Sequence, residues 1–176
     1  MFILINGSFG IGKTTASKRL ANDLRRARIA DPEHVGFVLH RLPPWALGLR
    51  ERADDYQDMA LWRRLIVVQA RLAHRLAPVV IVPMAFTNRD YFAAFTDALG
   101  ETAPVVKICL VAPLDVVRDR LTRRALAEGR SGLGEFELRR SAECVAAHAD
   151  PFFGRPVDAL QAPDRAVADI RAIAGV

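Results

Sequence analysis

Two rhythms of apolar residues run along the chain. Met1–Ile5 (MFILI), Pro78–Met84 (PVVIVPM) and Val105–Ala112 (VVKICLVA) are short runs that are almost wholly apolar. A strand covered on both faces has this pattern, so each predicts a buried strand. Arg28-Ile29-Ala30 and Pro156–Ala162 (PVDALQA) predict two more, shorter and more polar. Between these runs the apolar spacing lengthens to three and four residues, the helical period. It predicts a helix over Lys13–Arg28, with Ala16, Leu20 and Leu24 on one face. A second helix follows Asp31 and ends near His40. Asp31 is suited to cap it, Pro32 fits its first turn, and Glu33 favours the positive end of its dipole. Pro43-Pro44 then breaks the chain, and residues 45–55 are polar and irregular. A long helix is predicted over Tyr56–Arg75, with Leu61, Leu65, Val68 and Leu72 as its buried stripe. Shorter helices are predicted over 89–99, 114–128, 135–148 and 164–174, with a glycine-bearing loop at 128–135. Strands alternating with helices predict an α/β fold with a parallel sheet in one domain, residues 1–176.

Composition narrows the classes without changing that architecture. Apolar residues make up 51% of the 176, enough for a real core. No apolar run reaches the roughly 18 residues of a membrane span, and no secretory signal pattern opens the chain, so stable membrane insertion is not expected. Cys109 and Cys144 are far apart and match no metal spacing; they are expected to be reduced thiols in a cytoplasmic protein. Net charge is +5, and almost all the cations are arginine; the lysines are Lys13, Lys18 and Lys107. Arginine's planar fork suits phosphate. Basic and aromatic residues do not interleave as a nucleic-acid surface would require, so a small anionic ligand is the expected partner and nucleic acid is not.

The run after the first predicted strand gives that anion a place. Gly7-Ser8-Phe9-Gly10-Ile11-Gly12-Lys13-Thr14 satisfies G-x-x-x-x-G-K-[ST] at every fixed position, between a strand and a helix. Bare backbone amides can wrap a polyphosphate, and the helix N-terminus adds its positive end. Lys13 is placed for the β- and γ-phosphates, Thr14 for Mg²⁺, and Thr15 for another phosphate oxygen. The expected ligand is therefore ATP with Mg²⁺. Asp31, at a predicted strand end beside the crevice, can hold the metal through water or take a proton from a substrate hydroxyl. No N-K-x-D base-reading segment of a GTPase is present. The arginine-bearing segment 118–140, with Arg120 and Arg124 one turn apart, is suited to act as a lid over transferring phosphate.

Asp31-Pro32-Glu33-x-Val35-Gly36-Phe37-x-Leu39, Gln57-x-x-x-Leu61-Trp62-Arg63, Ile81-Val82-Pro83-Met84 and Tyr91-Phe92 together resemble the tunicamycin resistance protein family. Its members are small phosphate-loop proteins related to nucleoside and nucleotide kinases. Arg120-Leu121-x-x-Arg124 also resembles the lid helix of nucleoside-monophosphate kinases. The resemblance implies a three-layer P-loop fold with a five-stranded parallel sheet, an arginine-bearing lid and ATP as donor. It also implies a link to tunicamycin, a uridine-containing antibiotic with an acyl chain. By the kinase likeness, Arg124 would lie against the adenine and Arg120 near the phosphates.

Kinases of this shape bind the acceptor near the segment after the second strand, here about residues 40–63. Trp62 can stack a base or sugar, Arg41 and Arg63 can hold an acceptor phosphate, and Gln57 can read a base edge. Thr87 ends the third strand and faces the same crevice. Trp62 equally suits the core, and Arg41 equally suits the end of a helix. The expected activity is phosphoryl transfer from ATP to a hydroxyl of a nucleoside-like or sugar-bearing acceptor, tunicamycin being the named candidate. The alternative is an ATP-gated protein that sequesters the drug unmodified. A monomer or a homodimer is compatible with the chain.

Overall fold

The computed structural model describes residues 1–47 and 55–176, so most of the polar segment expected over 45–55 lies outside the described residues. Five parallel strands form one sheet: β1 (Phe2–Gly7), β2 (Ala27–Ile29), β3 (Val79–Met84), β4 (Val105–Val111) and β5 (Arg155–Asp158). Their spatial order is β2-β3-β1-β4-β5. Among the described residues seven α-helices flank them: α1 (Lys13–Asp23), α2 (Pro32–His40), α3 (Ala60–Leu76), α4 (Arg89–Gly100), α5 (Leu114–Ala127), α6 (Glu135–Ala147) and α7 (Pro163–Ala174). This is the three-layer α/β arrangement expected from the sequence.

The apolar strands occupy the centre for a simple reason. β1 pairs with β3 on one side and β4 on the other, and Phe2, Ile3, Leu4 and Ile5 expose no surface. Alternate residues feed two cores. Phe2, Leu4, Val80 and Val82 pack with Trp62, Ile66, Phe92 and Phe95, beneath α3 and α4. Ile3, Ile5 and Ile81 pack with Leu20, Val117, Leu121 and Ile170, beneath α1, α5 and α7. Pro83 costs the sheet little. It faces the same side as Ile81, whose carbonyl accepts the Ala30 amide, and the β2 pairing ends there.

Three expectations are corrected. α1 stops at Asp23 rather than Arg28, because the chain must turn through Arg26 (φ 64°) to begin β2. The predicted start of α3 is a separate 3₁₀ turn at Tyr56–Asp58, capped by Asp55, whose Oδ1 accepts the Gln57 amide at 3.0 Å. The apolar stripe of α3 is also rotated. Trp62, Ile66 and Ala70 are buried, whereas Leu61, Val68 and Leu72 are 41%, 51% and 50% exposed. Both faces of this helix are apolar. The buried face carries Trp62 and Ile66, which bring large area to the core, and Ala70, which lets the backbone approach the sheet. Among the described residues no helix is long and apolar enough to cross a membrane. Cys109 and Cys144 are both free and buried, and burial pushes the Cys109 thiol up to about 12, so it stays protonated.

Candidate active site

Residues Gly7 to Gly12 join the buried end of β1 to the first turn of α1, so the loop cannot drift from the sheet's carboxyl edge. Two glycines make the curve possible. Gly10 has φ 69°, and a Cβ there would fall 2.8 Å from Leu121. Gly12 has φ 108° and faces open space. A side chain is excluded at the first by contact and disfavoured at both by dihedral. Thr14 and Thr15 stand exposed on the first turn of α1, beside its unpaired amides. Ser8 is buried and its Oγ has no partner; Ile11 packs into the core.

The Lys13 ammonium folds back on the loop, donating to the Gly7 carbonyl at 2.9 Å and the Ser8 carbonyl at 2.7 Å. Burial pushes it down to about 8, against the opposing pull of Glu33 and Asp31. A cation held over carbonyls, beside an open glycine curve and a helix N-terminus, is short of an anion. The cradle therefore fits a phosphate chain.

Asp31 lies at the end of β2 as expected, but one oxygen is occupied. Its Oδ1 accepts the Glu33 amide at 3.0 Å and caps α2. Thr14 and the remaining Asp31 oxygen are the groups suited to Mg²⁺, which keeps waters and phosphate oxygens as most of its ligands. The described residues hold no cluster of three or more His, Cys, Asp or Glu that could bind a metal alone.

Beyond the loop lies a cavity of about 420 Å³. Phe9 of the loop forms one wall, and Phe37, Tyr56, Trp62, Phe86 and Phe136 form much of the rest. Glu33, Asp55, Gln57 and Arg124 also reach it. Trp62 is 5% exposed and donates Nε1–H to the Pro32 carbonyl at 3.2 Å, so it is both core and cavity floor. Tyr56 lies 6.4 Å from it in a stacked pair. Gln57 donates from Nε2 to the Ala85 carbonyl at 3.0 Å, and its Oε1 is buried without a partner. A more polar hollow of about 320 Å³ shares Asp55, Gln57 and Phe136 and adds Thr87, Arg139 and Arg140.

Several expected residues occupy other settings. Arg41 is exposed at the C-terminal end of α2 and lines neither hollow. Arg63 lies 3.9 Å from the Tyr91 ring and donates to the Gln57 carbonyl, holding the 3₁₀ turn rather than pointing into the cavity. Thr87 accepts from Arg140 at 3.2 Å. The two lid arginines have different settings. Arg120 bridges the Ile11 carbonyl (3.2 Å) and the Ala159 carbonyl beyond β5 (2.8 Å), whereas Arg124 reaches the aromatic cavity. One helical turn separates them, and α5 enters from the β4 end, which puts its earlier residue nearer β5.

Sequence reasoning did not single out Glu33, Asp55, Phe37 or Phe136 as cavity residues. It placed Arg140 only within a set of lid-region arginines. Arg140 is buried, with Nη2 2.7 Å from Asp55 and Nη1 2.7 Å from Glu143. A cap signal before residue 56 could have found Asp55; the others carry no local signature.

The AAA domain family matches residues 2–143. The chain belongs to that family. Curated relatives include an adenylate kinase of Clavibacter michiganensis, 29% identical over 85% of this chain and 76% of its own length. An adenylate kinase of Thermus thermophilus is 28% identical over 99% of this chain and 97% of its own. Among solved structures, the tunicamycin resistance protein of Deinococcus radiodurans shares the fold with a TM-score of 0.76 at 24% identity, covering 99% of this chain and 95% of that one. A gluconokinase from Sinorhizobium meliloti gives 0.68 at 18%, covering 98% and 90%. These likenesses support a phosphotransferase on a P-loop kinase-like AAA domain.

Proposed function

We propose that this protein is an ATP-dependent small-molecule kinase that phosphorylates a hydroxyl of a nucleoside-like or sugar-bearing acceptor, with tunicamycin as the named candidate. One observation carries the reading: the phosphate loop and the aromatic cavity share a wall. Phe9 belongs to both, and Lys13 Nζ stands 5.5 Å from the centre of its ring. A polyphosphate on the loop would thus end beside whatever fills the cavity, which is the proximity that group transfer needs.

Each residue then has a task. The amides of Gly7–Thr15 bind the phosphate chain. Lys13 leaves its two carbonyls for the β- and γ-phosphates. Arg120, which ties the loop to the chain beyond β5, lies near the phosphates, and Arg124, at the rim of the cavity, is left for the nucleotide or the migrating phosphoryl group. Trp62 and Tyr56 stack a flat part of the acceptor, with Gln57 and Thr87 at its polar edge. Magnesium, when bound, supplies charge neutralisation on the phosphates; Thr14 and Asp31 would hold it. Arg41 and Arg63 would act on the acceptor only by leaving their present positions.

Incubation with ATP and Mg²⁺ against nucleosides, sugars and uridine antibiotics, read by mass spectrometry, tests the proposal. One acceptor is expected to gain a phosphoryl group in wild type and not in Lys13→Ala. ATP binding with tight, unmodified drug binding would instead support sequestration.

A further inference from the structure

The acceptor cavity carries an electrostatic bias that phosphate-loop chemistry does not require. The flat walls are Phe37, Tyr56, Trp62, Phe86 and Phe136. Between them lie the Glu33 and Asp55 carboxylates, the Gln57 side-chain amide, the His40 ring and Arg124. Glu33 faces the cavity, and its carboxylate has no hydrogen-bond or ion-pair partner among the described residues. Gln57 gives one Nε2 hydrogen to the Ala85 carbonyl, and its Oε1 is buried without a partner. Asp55 offers Oδ1 to the Gln57 amide and Oδ2 to Arg140.

Of the arginines on this side, Arg140, Arg63 and Arg89 are already engaged by the protein. Arg140 is held by Asp55, Glu143 and Thr87. Arg63 lies on Tyr91. Arg89 pairs with Asp150 and stacks on Phe152. Arg124 reaches the edge, with Nε 3.3 Å from Glu128. A phosphate monoester needs open arginine forks. Among the described residues Arg124 is the one arginine that lines this cavity, and the Glu33 and Asp55 carboxylates line it too. Tyr56 reports the same field: burial first, then the Glu33 and Asp55 carboxylates, push its phenol up.

Building on the kinase reading of this same site, we propose that the cavity takes an uncharged, hydroxyl-bearing acceptor with one flat apolar face. It discriminates against phosphate monoesters, and Glu33 is the carboxylate that receives the acceptor's hydroxyl proton. In the step, the acceptor O–H gives its proton to Glu33. The freed oxygen forms a bond to the γ-phosphorus. The bond from that phosphorus to the β–γ bridging oxygen breaks, and ADP leaves with the electron pair. Asp31 is poorly suited to this task, because one of its oxygens caps α2 and the residue does not line the cavity. The chain therefore departs from its adenylate kinase relatives in the charge of what it phosphorylates.

Calorimetry on the full chain with a non-hydrolysable ATP analogue and Mg²⁺ compares uridine and tunicamycin with 5′-UMP and AMP. At least one uncharged probe is expected to bind about tenfold or more tightly than either monophosphate. In Glu33→Gln that preference is expected to shrink while affinity for the ATP analogue is unchanged. Turnover of the bound uncharged probe is expected to fall roughly 100-fold or more, the usual worth of a positioned base. Tighter binding of 5′-UMP or AMP overturns the inference. So does an unchanged preference in Glu33→Gln, or binding of the analogue with no binding of either uncharged probe. Failure to bind the ATP analogue at all is a different result, which overturns the kinase reading itself.

Discussion

The Asp31 carboxylate accepts the Glu33 backbone amide at 3.0 Å, and this bond divides the work of two nearby acids. One is tied to the helix it begins; the other is left facing the cavity. Asparagine can cap as well as aspartate, so Asp31→Asn is expected to keep the melting temperature of wild type. Asp31→Ala is expected to lose about 1 kcal/mol with the cap. Asp31→Asn should nevertheless raise the magnesium concentration needed for half-maximal turnover. Thermal melts and a magnesium titration of the two variants check both halves.

Proton uptake should accompany ATP binding. Burial holds the free Lys13 near 8, below its usual 10.5. Phosphate favours the charged form, so binding raises that value again. At pH 8 a fraction of a proton is expected to be taken up, and at pH 6.5 almost none, since Lys13 is then already charged. Calorimetry in buffers of different ionisation enthalpy measures it, with Lys13→Ala as the background. For folding the sign is fixed too. Between pH 8 and 10.5 the unfolded chain holds more protons at this position, so its contribution to stability rises with pH across that window.

Arg120 ties the phosphate loop to the chain beyond β5 through two carbonyls. Arg120→Ala is expected to cost about 1–3 kcal/mol in stability, because both carbonyls lose a charged donor. It should also weaken ATP binding by several-fold while leaving acceptor affinity alone. Chemical denaturation and separate titrations of the two ligands distinguish these effects.

These residues also show what the chain reveals before it folds. The phosphate loop is a covalent pattern with fixed spacing, and the central strands are apolar throughout. The loop is therefore readable residue by residue, and the central strands within a residue or two. The Asp31-Pro32-Glu33 helix start is equally local. The face of α3 is not, because Leu61 and Trp62 begin two apolar stripes and only packing against the sheet selects Trp62. The partners of Arg120 and Arg124 are not either, since Ile11 and Ala159 are far from α5 in sequence and meet Arg120 only in the folded chain. Arg140 and Asp55 are joined across about half of the chain, and no spacing rule links them.

That long-range pair makes its own prediction. Arg140→Met leaves Asp55 and Glu143 facing each other without a cation. It is expected to cost roughly 2–3 kcal/mol, less than a fully buried pair because Glu143 is 45% exposed. Asp55→Asn in the same chain should recover part of that loss. A double-mutant cycle by denaturant unfolding reads the coupling.

The central claim is that the main chain from Gly7 to Thr15 grips a polyphosphate. Titration calorimetry of the full chain with ATP and Mg²⁺ tests it most directly. One site per chain is expected, with affinity lost in Lys13→Ala while that variant still folds cooperatively. A folded wild-type protein that gives no heat with ATP or GTP, under any divalent ion, would contradict the account.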